Sequence, residues 1–423
     1  MFGFACSRQG RRIFRNGSNK MSRTKRAGMP PGKLNSSTKS SVQTWGPFCG
    51  ILATVMGICL HIQWPELLQE KQIDTPVNLS TSPYVFDFQE AFATRDENMQ
   101  KYDFKYNDAG IDRRSGLKLE EFWDVYDGKW PVLITDIIQK WEAVNWTRDY
   151  FVNNYGEERV VMKAVHGKLN QASSLALPLK LFLQHIEESS PTTWTYLEDE
   201  LFLPLRPDLY KQVQTSTYTT ENFFSLFPQE IRPWDCMLLW GTAYSRSSLH
   251  IDPYNWTGTN AVIKGKKRWK LFPPGQDHLL SVKPNKMCGF PLECRKYNSP
   301  IDTFDSEEYT KYPQYKKAHY IEFDQNPGEF LVIPSGWFHQ AYNVEETIAV
   351  SGQFMNRNNY LVILEEILKA DNLKRSRLPA HFHTLLPPDQ VKVFMSLLPQ
   401  KILAHGREVT SQVIKQVETV RKQ

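Results

Sequence analysis

His250, Asp252 and His339 are the residues of this chain whose types and spacing could do chemistry. In an extended strand alternate side chains share a face, so His250 and Asp252 of the run His250-Ile251-Asp252 project to the same side. One imidazole from a later strand completes a set of two histidines and one carboxylate. Such a facial triad holds ferrous iron and leaves other coordination positions open. An H-x-D by itself recurs by chance, so the residues around it carry the case.

The segment Asn260 to Pro274 reads as a hairpin, two strands about a turn centred on Gly265. Alternation counted back from Leu271 and Trp269 puts Lys267 on their apolar face and sends Arg268 and Lys270 to the other. A lysine on an inward face is costly unless paired, and no acid in the segment can pair with it, so a bound carboxylate ligand is implied. Each residue also has a plainer reading. Lys267 could snorkel to solvent, His250 could be structural, and Asp252 could cap the turn before Pro253. Occurring together, the residues favour the chemical reading.

Short strands must position them. Residues 234–354 contain strand-like runs at Cys236–Trp240, Thr259–Ile263, Arg268–Phe272, Phe330–Ile333 and Thr347–Ser351, with turn residues between. That pattern predicts an all-β barrel or sandwich. The stretch Ser281–Tyr315, rich in Pro, Asn and Tyr, reads as a surface excursion. Upstream, Glu120–Tyr126 and Asp149–Tyr155 read as helices and Trp130–Ile134 as a strand. Asn358 is a plausible cap for a helix through Leu368, and Pro388 opens another carrying Val391, Phe394 and Met395. Val409, Val413, Val417 and Val420 form an apolar stripe that either packs on the core or makes a homodimer face.

The net charge of +5 is local in origin, because residues 1–40 hold ten Lys or Arg and no acid. The remainder is mildly acidic and offers no footprint for nucleic acid. Gln43–Trp64 lacks charged residues and has tryptophans at both its ends, the pattern of a membrane span. The expected organisation is a basic tail (1–42), a signal anchor (43–64), a stem (65–111), a catalytic domain (112–356) and a C-terminal helical region (357–423). The basic tail would keep the N-terminus cytosolic, giving a single-pass protein with its domain in the lumen of the secretory pathway. A mitochondrial presequence is the alternative. Sequons stand at Asn78, Asn145 and Asn255, and no C-x-x-C suggests a zinc ribbon or thioredoxin-like site.

Leu249-His250-Ile251-Asp252-Pro253, the Asn260–Pro274 segment, and Pro327-Gly328-Glu329-Phe330 followed by Ile333 to His339 together resemble a Jumonji C domain. The ligand segment is most similar to lysyl hydroxylases of the Jumonji-domain-containing protein 6 type, and Phe304 to Ala318 to other small Jumonji hydroxylases. The resemblance implies a mainly β, double-stranded β-helix of the cupin kind, flanked by N-terminal α/β elements and C-terminal helices. It implies Fe(II) at His250, Asp252 and His339, with 2-oxoglutarate as co-substrate. Lys267 would pair with the distal carboxylate, and Asn260, Ser247, Asn343 and Ser351 would line the pocket. A tyrosine that several members use at that carboxylate has no obvious counterpart, the nearest stretch offering Ser173 and Ser174. The implied reaction couples decarboxylation of 2-oxoglutarate to succinate and carbon dioxide with hydroxylation of a protein side chain. Two other readings are a metal-retaining, non-catalytic binding protein and an oxygenase of small molecules.

Overall fold

The computed structural model describes residues 110–285, 292, 294–370 and 378–422. In chain order the strands are β1 (Asp112–Arg114), β2 (Val132–Ile134), β3 (Arg159–His166), β4 (Ser173–Pro178), β5 (Thr193–Asp199), β6 (Met237–Gly241), β7 (His250–Ile251) and β8 (Thr257–Lys264). They continue with β9 (Lys267–Phe272), β10 (Lys283–Asn285), β11 (Lys296–Asn298), β12 (Ile321–Gln325), β13 (Phe330–Ile333), β14 (Phe338–Asn343) and β15 (Thr347–Phe354). One sheet runs β1-β2-β13-β8-β15-β6-β5-β3-β4 and the other β10-β11-β7-β14-β9-β12. From β6 to β9, and again from β12 to β15, consecutive strands alternate between the sheets. This is the expected mainly β, double-stranded β-helix.

That alternation corrects the hairpin at Gly265. β8 and β9 belong to different sheets, β8 pairing with β13 and β15 and β9 with β12 and β14. The turn is a corner between sheets, and it fits only glycine. Gly265 has φ +78°, and a Cβ there would lie 2.0 Å from the Glu346 carbonyl oxygen.

Both faces of the nine-stranded sheet are covered, which explains its nearly unbroken apolar runs. Inward, Leu331 and Ile333 of β13 pack on Trp269 of β9 and Ala341 of β14. Outward, Leu238, Trp240, Ala261, Ile263 and Val350 bury against helices α1 (Arg148–Tyr155) and α2 (Leu179–Gln184) through Phe151, Phe182 and Leu183. Thr147 starts α1 by accepting the Tyr150 N–H at 3.1 Å.

The stretch Ser281–Tyr315 is more than a surface excursion. It adds β10 and β11 to the six-stranded sheet, with β11 pairing directly with β7, the strand of His250. Its Ile301 and Tyr315 are buried with Leu249, Phe272 and Phe338.

Three longer helices follow: α3 (Tyr360–Ala370), α4 (Pro387–Ser396) and α5 (Gln400–Lys422). α3 and α4 share a core with Tyr254 and Trp256, which lie just past Asp252. The turn into α3 is organised by Asn356, whose Oδ1 accepts the Asn358 N–H at 3.0 Å. Asn358, expected to cap, instead donates to Asp127 at 2.7 Å. Of the valine stripe on α5, Val413 is buried against Leu201 and Trp234 with Val409 beside it, so this part serves the chain's own core.

The single-pass membrane placement is corrected. Among the described residues no helix is long and apolar enough to cross a membrane. α5 has the length but carries charged residues throughout, and α3 is apolar but only 11 residues long. Gln43–Trp64, which carried the expectation, lies outside the described residues, as does the sequon at Asn78. Cys236 is a free, buried thiol, and Cys294 is disulfide-bonded.

Candidate active site

The structure brings His250, Asp252 and His339 together, with ligand atoms all within 4.8 Å of one another. His250 on β7 and His339 on β14 are direct cross-strand partners. Asp252 follows β7 at the turn Pro253–Asn255, and its carboxylate makes no capping bond there. Its Oδ1 lies 3.6 Å from the Nε2 of each histidine. Its Oδ2 fills the space above Gly258, where a Cβ would lie 2.2 Å away. The capping reading of Asp252 is thereby replaced by convergence on the imidazoles.

Backbone carbonyls set the tautomers. The Nδ1 of His250 lies 2.7 Å from the Ser248 oxygen and that of His339 3.1 Å from the Trp337 oxygen. A carbonyl can only accept, so each Nδ1 carries the proton and each Nε2 lone pair faces Asp252. Burial opposes ionisation of Asp252, yet the two imidazoles hold its carboxyl well below the usual range. Burial likewise opposes a charged His339, yet the Asp252 carboxylate leaves its pKa above the ordinary value. The site is polarised to exchange protons for a cation. The donor set suits ferrous iron.

Lys267 lies inward on β9 as expected, at 1% exposure. Burial pushes its pKa down to about 7, partly opposed by Glu198. That corresponds to about 5 kcal/mol against the ammonium. Its one hydrogen bond among the described residues, 2.9 Å to the Tyr196 hydroxyl, contributes about 1 kcal/mol. The faces of Tyr196 and Trp269, 5.2 and 5.9 Å away, add about 1 kcal/mol each. Glu198 bonds to Lys163 at 2.9 Å, and no described carboxylate pairs with Lys267. The remaining deficit is what a bound dicarboxylate would offset.

Tyr196 corrects the expectation that the pocket lacks a tyrosine. It sits on β5, 2% exposed, with its hydroxyl on Lys267. Ser173 and Ser174, the nearest stretch in sequence, are exposed on the edge strand β4. Thr193-Trp194-Thr195-Tyr196 alternates polar and aromatic residues at the strand period, which marks an aromatic face but not its partner Lys267.

The other expected pocket residues divide into two groups. Asn260 on β8 is opposite Leu331 and Ser351, and Asn343 on β14 is opposite Lys267. Both are buried, and the Oδ1 of each lacks a hydrogen-bond partner among the described residues. The two serines have other work. Ser247 Oγ accepts the Ala341 N–H at 3.0 Å, and Ser351 Oγ donates to the Thr259 carbonyl at 3.0 Å. A buried ammonium with no described carboxylate partner, beside a tyrosine hydroxyl, fits an anionic co-substrate such as 2-oxoglutarate.

Residues 118–360 match the family described as a cupin-like domain, more than half of the chain. A lysine-specific demethylase, JMJ21 of Arabidopsis thaliana, is 30% identical over 264 residues, covering 61% of this chain and 26% of that protein. The bifunctional arginine demethylase and lysyl-hydroxylase psr-1 of Caenorhabditis elegans is 25% identical over 277 residues, 63% of this chain and 65% of the relative. The 2-oxoglutarate and iron-dependent oxygenase JMJD4 of Danio rerio is 30% identical over 193 residues, 43% of each. The matched region spans less than two thirds of each relative. The chain belongs to the cupin-like domain family and, within it, to the Jumonji C type that its ligand motifs resemble.

Proposed function

We propose that this chain is an iron(II)- and 2-oxoglutarate-dependent dioxygenase that hydroxylates a protein side chain. The observation that carries the reading is a converging His-His-Asp set in the same inter-sheet space as a buried lysine without a carboxylate partner among the described residues. His250, Asp252 and His339 hold the metal, which when bound supplies dioxygen chemistry that couples 2-oxoglutarate decarboxylation to hydroxylation. Lys267 holds the distal carboxylate by charge and Tyr196 by its hydroxyl, while Asn260 and Asn343 line the pocket. The apolar layer of Trp269, Ala341 and Leu331 keeps water from that end. The names of the relatives point to lysine or arginine side chains as substrates, and a basic side chain is the substrate class we assign. Tyr196, with its hydroxyl on Lys267, weighs against the non-catalytic binding-protein reading.

The test is release of succinate from 2-oxoglutarate by the Fe(II)-loaded protein, with and without lysine- and arginine-containing peptides. Succinate that rises with one peptide class and disappears in His339→Ala is the expected result. Iron binding without succinate under any condition would leave a metal-retaining cupin and sink the proposal.

A further inference from the structure

Just past Asp252 the backbone does something costly. Tyr254 and Asn255 have φ of +52° and +58°, two consecutive side-chain-bearing residues in the left-handed region. Asparagine tolerates that region, whereas a tyrosine there is an outlier. Strain of this kind persists only where the surroundings over-determine it, and it concentrates at functional sites.

Contacts on both sides hold the turn. The Asn255 N–H closes on the Asp252 carbonyl at 2.9 Å. The Tyr254 hydroxyl donates to the Leu292 carbonyl, and its ring is buried in the core shared with α3. The Asn255 side chain then reaches the other ligand segment, its Oδ1 accepting the backbone N–H of Gly336. Gly336 has φ +81° and begins the short approach through Trp337, whose carbonyl orients His339. A single amide oxygen thus joins the Asp252 turn to the turn that delivers His339. β7 is two residues long and contributes one pair to β14, so the sheet ladder alone ties these segments weakly.

We propose that Asn255 is a positioning residue that sets the spacing of Asp252 and His339 and thereby the affinity for the metal. The proposal rests on the metal reading of the triad. It also gives the sequon at Asn255 a structural role, since the amide that a glycan would modify belongs to this tie.

The full-length, metal-free protein is titrated with Mn(II), a redox-silent probe, by calorimetry and by the Mn(II) paramagnetic resonance signal. Asn255→Gly keeps the left-handed backbone at position 255 and deletes the tie, so the melting temperature of the metal-free protein should stay near wild type. Mn(II) affinity should fall by about 10-fold or more, the usual effect of losing a group that orients metal ligands. Asn255→Asp keeps an acceptor and should bind Mn(II) at least as tightly as wild type. Unchanged affinity in Asn255→Gly would overturn the proposal, as would equal weakening in both variants. Wild type binding no better than His339→Ala would overturn the metal reading itself, and this proposal with it.

Discussion

The two ends of the inter-sheet space are built differently. At the metal end the ligands come from a two-residue strand, a strained turn and the first residues of β14. At the lysine end Lys267, Asn343 and Tyr196 stand on long strands with regular antiparallel register. The metal end depends on local ties, because a short ladder fixes little. The lysine end depends on register, because a one-residue slip would turn Lys267 out of the core. Mutations at the first should act on metal affinity and those at the second on the co-substrate.

The sharpest separation comes from His339→Ala. It removes a ligand whose ring nitrogen is already oriented by Trp337, so specific metal binding and succinate formation should both be lost while the fold persists. Metal binding retained at wild-type affinity would break the distinction between the two ends.

Lys267→Met is next in size. Losing a buried charge partner costs about 2–5 kcal/mol, so the Kd for 2-oxoglutarate should rise by about 30-fold or more. Metal affinity should barely move. The same lysine gives a pH signature. In the free protein its pKa lies at about 7, so near pH 8 it is largely neutral and must gain a proton to meet the dicarboxylate. Affinity should therefore fall as pH rises above about 7, with proton uptake on binding that vanishes in Lys267→Met. Calorimetry in buffers of different ionisation enthalpy reads that uptake directly.

Tyr196→Phe should weaken 2-oxoglutarate by about 10-fold, the value of one hydrogen bond to a charged group. Ser351→Ala should be the mildest. Its hydroxyl is spent on the Thr259 carbonyl, so 2-oxoglutarate affinity should stay within about twofold and stability within about 1 kcal/mol. A large loss of affinity in Ser351→Ala would return that hydroxyl to the pocket.

The same contrast governs what could be read from the chain. The metal ligands were legible because H-x-D is a short motif, and its third member follows a recognisable turn, Pro334 to Phe338. The inward face of Lys267 was legible by counting alternation from Trp269. Tyr196 was not, because it reaches Lys267 through β5, β6, β15 and β8 across the other sheet, and no local spacing encodes that path. The corner at Gly265 was misread for a related reason: a glycine turn between two strands looks alike whether they pair or part to different sheets. β10 and β11 were hidden because strands of three residues are too short to show a period. The tie from Asn255 to Gly336 depends on side-chain geometry that sequence spacing does not contain.

The most direct measurement is an anaerobic titration of the metal-free protein with Fe(II) and then 2-oxoglutarate, following the iron-to-keto-acid charge-transfer band. Wild type should develop the band, His339→Ala should not, and Lys267→Met should do so only at much higher 2-oxoglutarate. Iron binding with no band at any 2-oxoglutarate concentration would contradict the assignment of the two ends to metal and co-substrate.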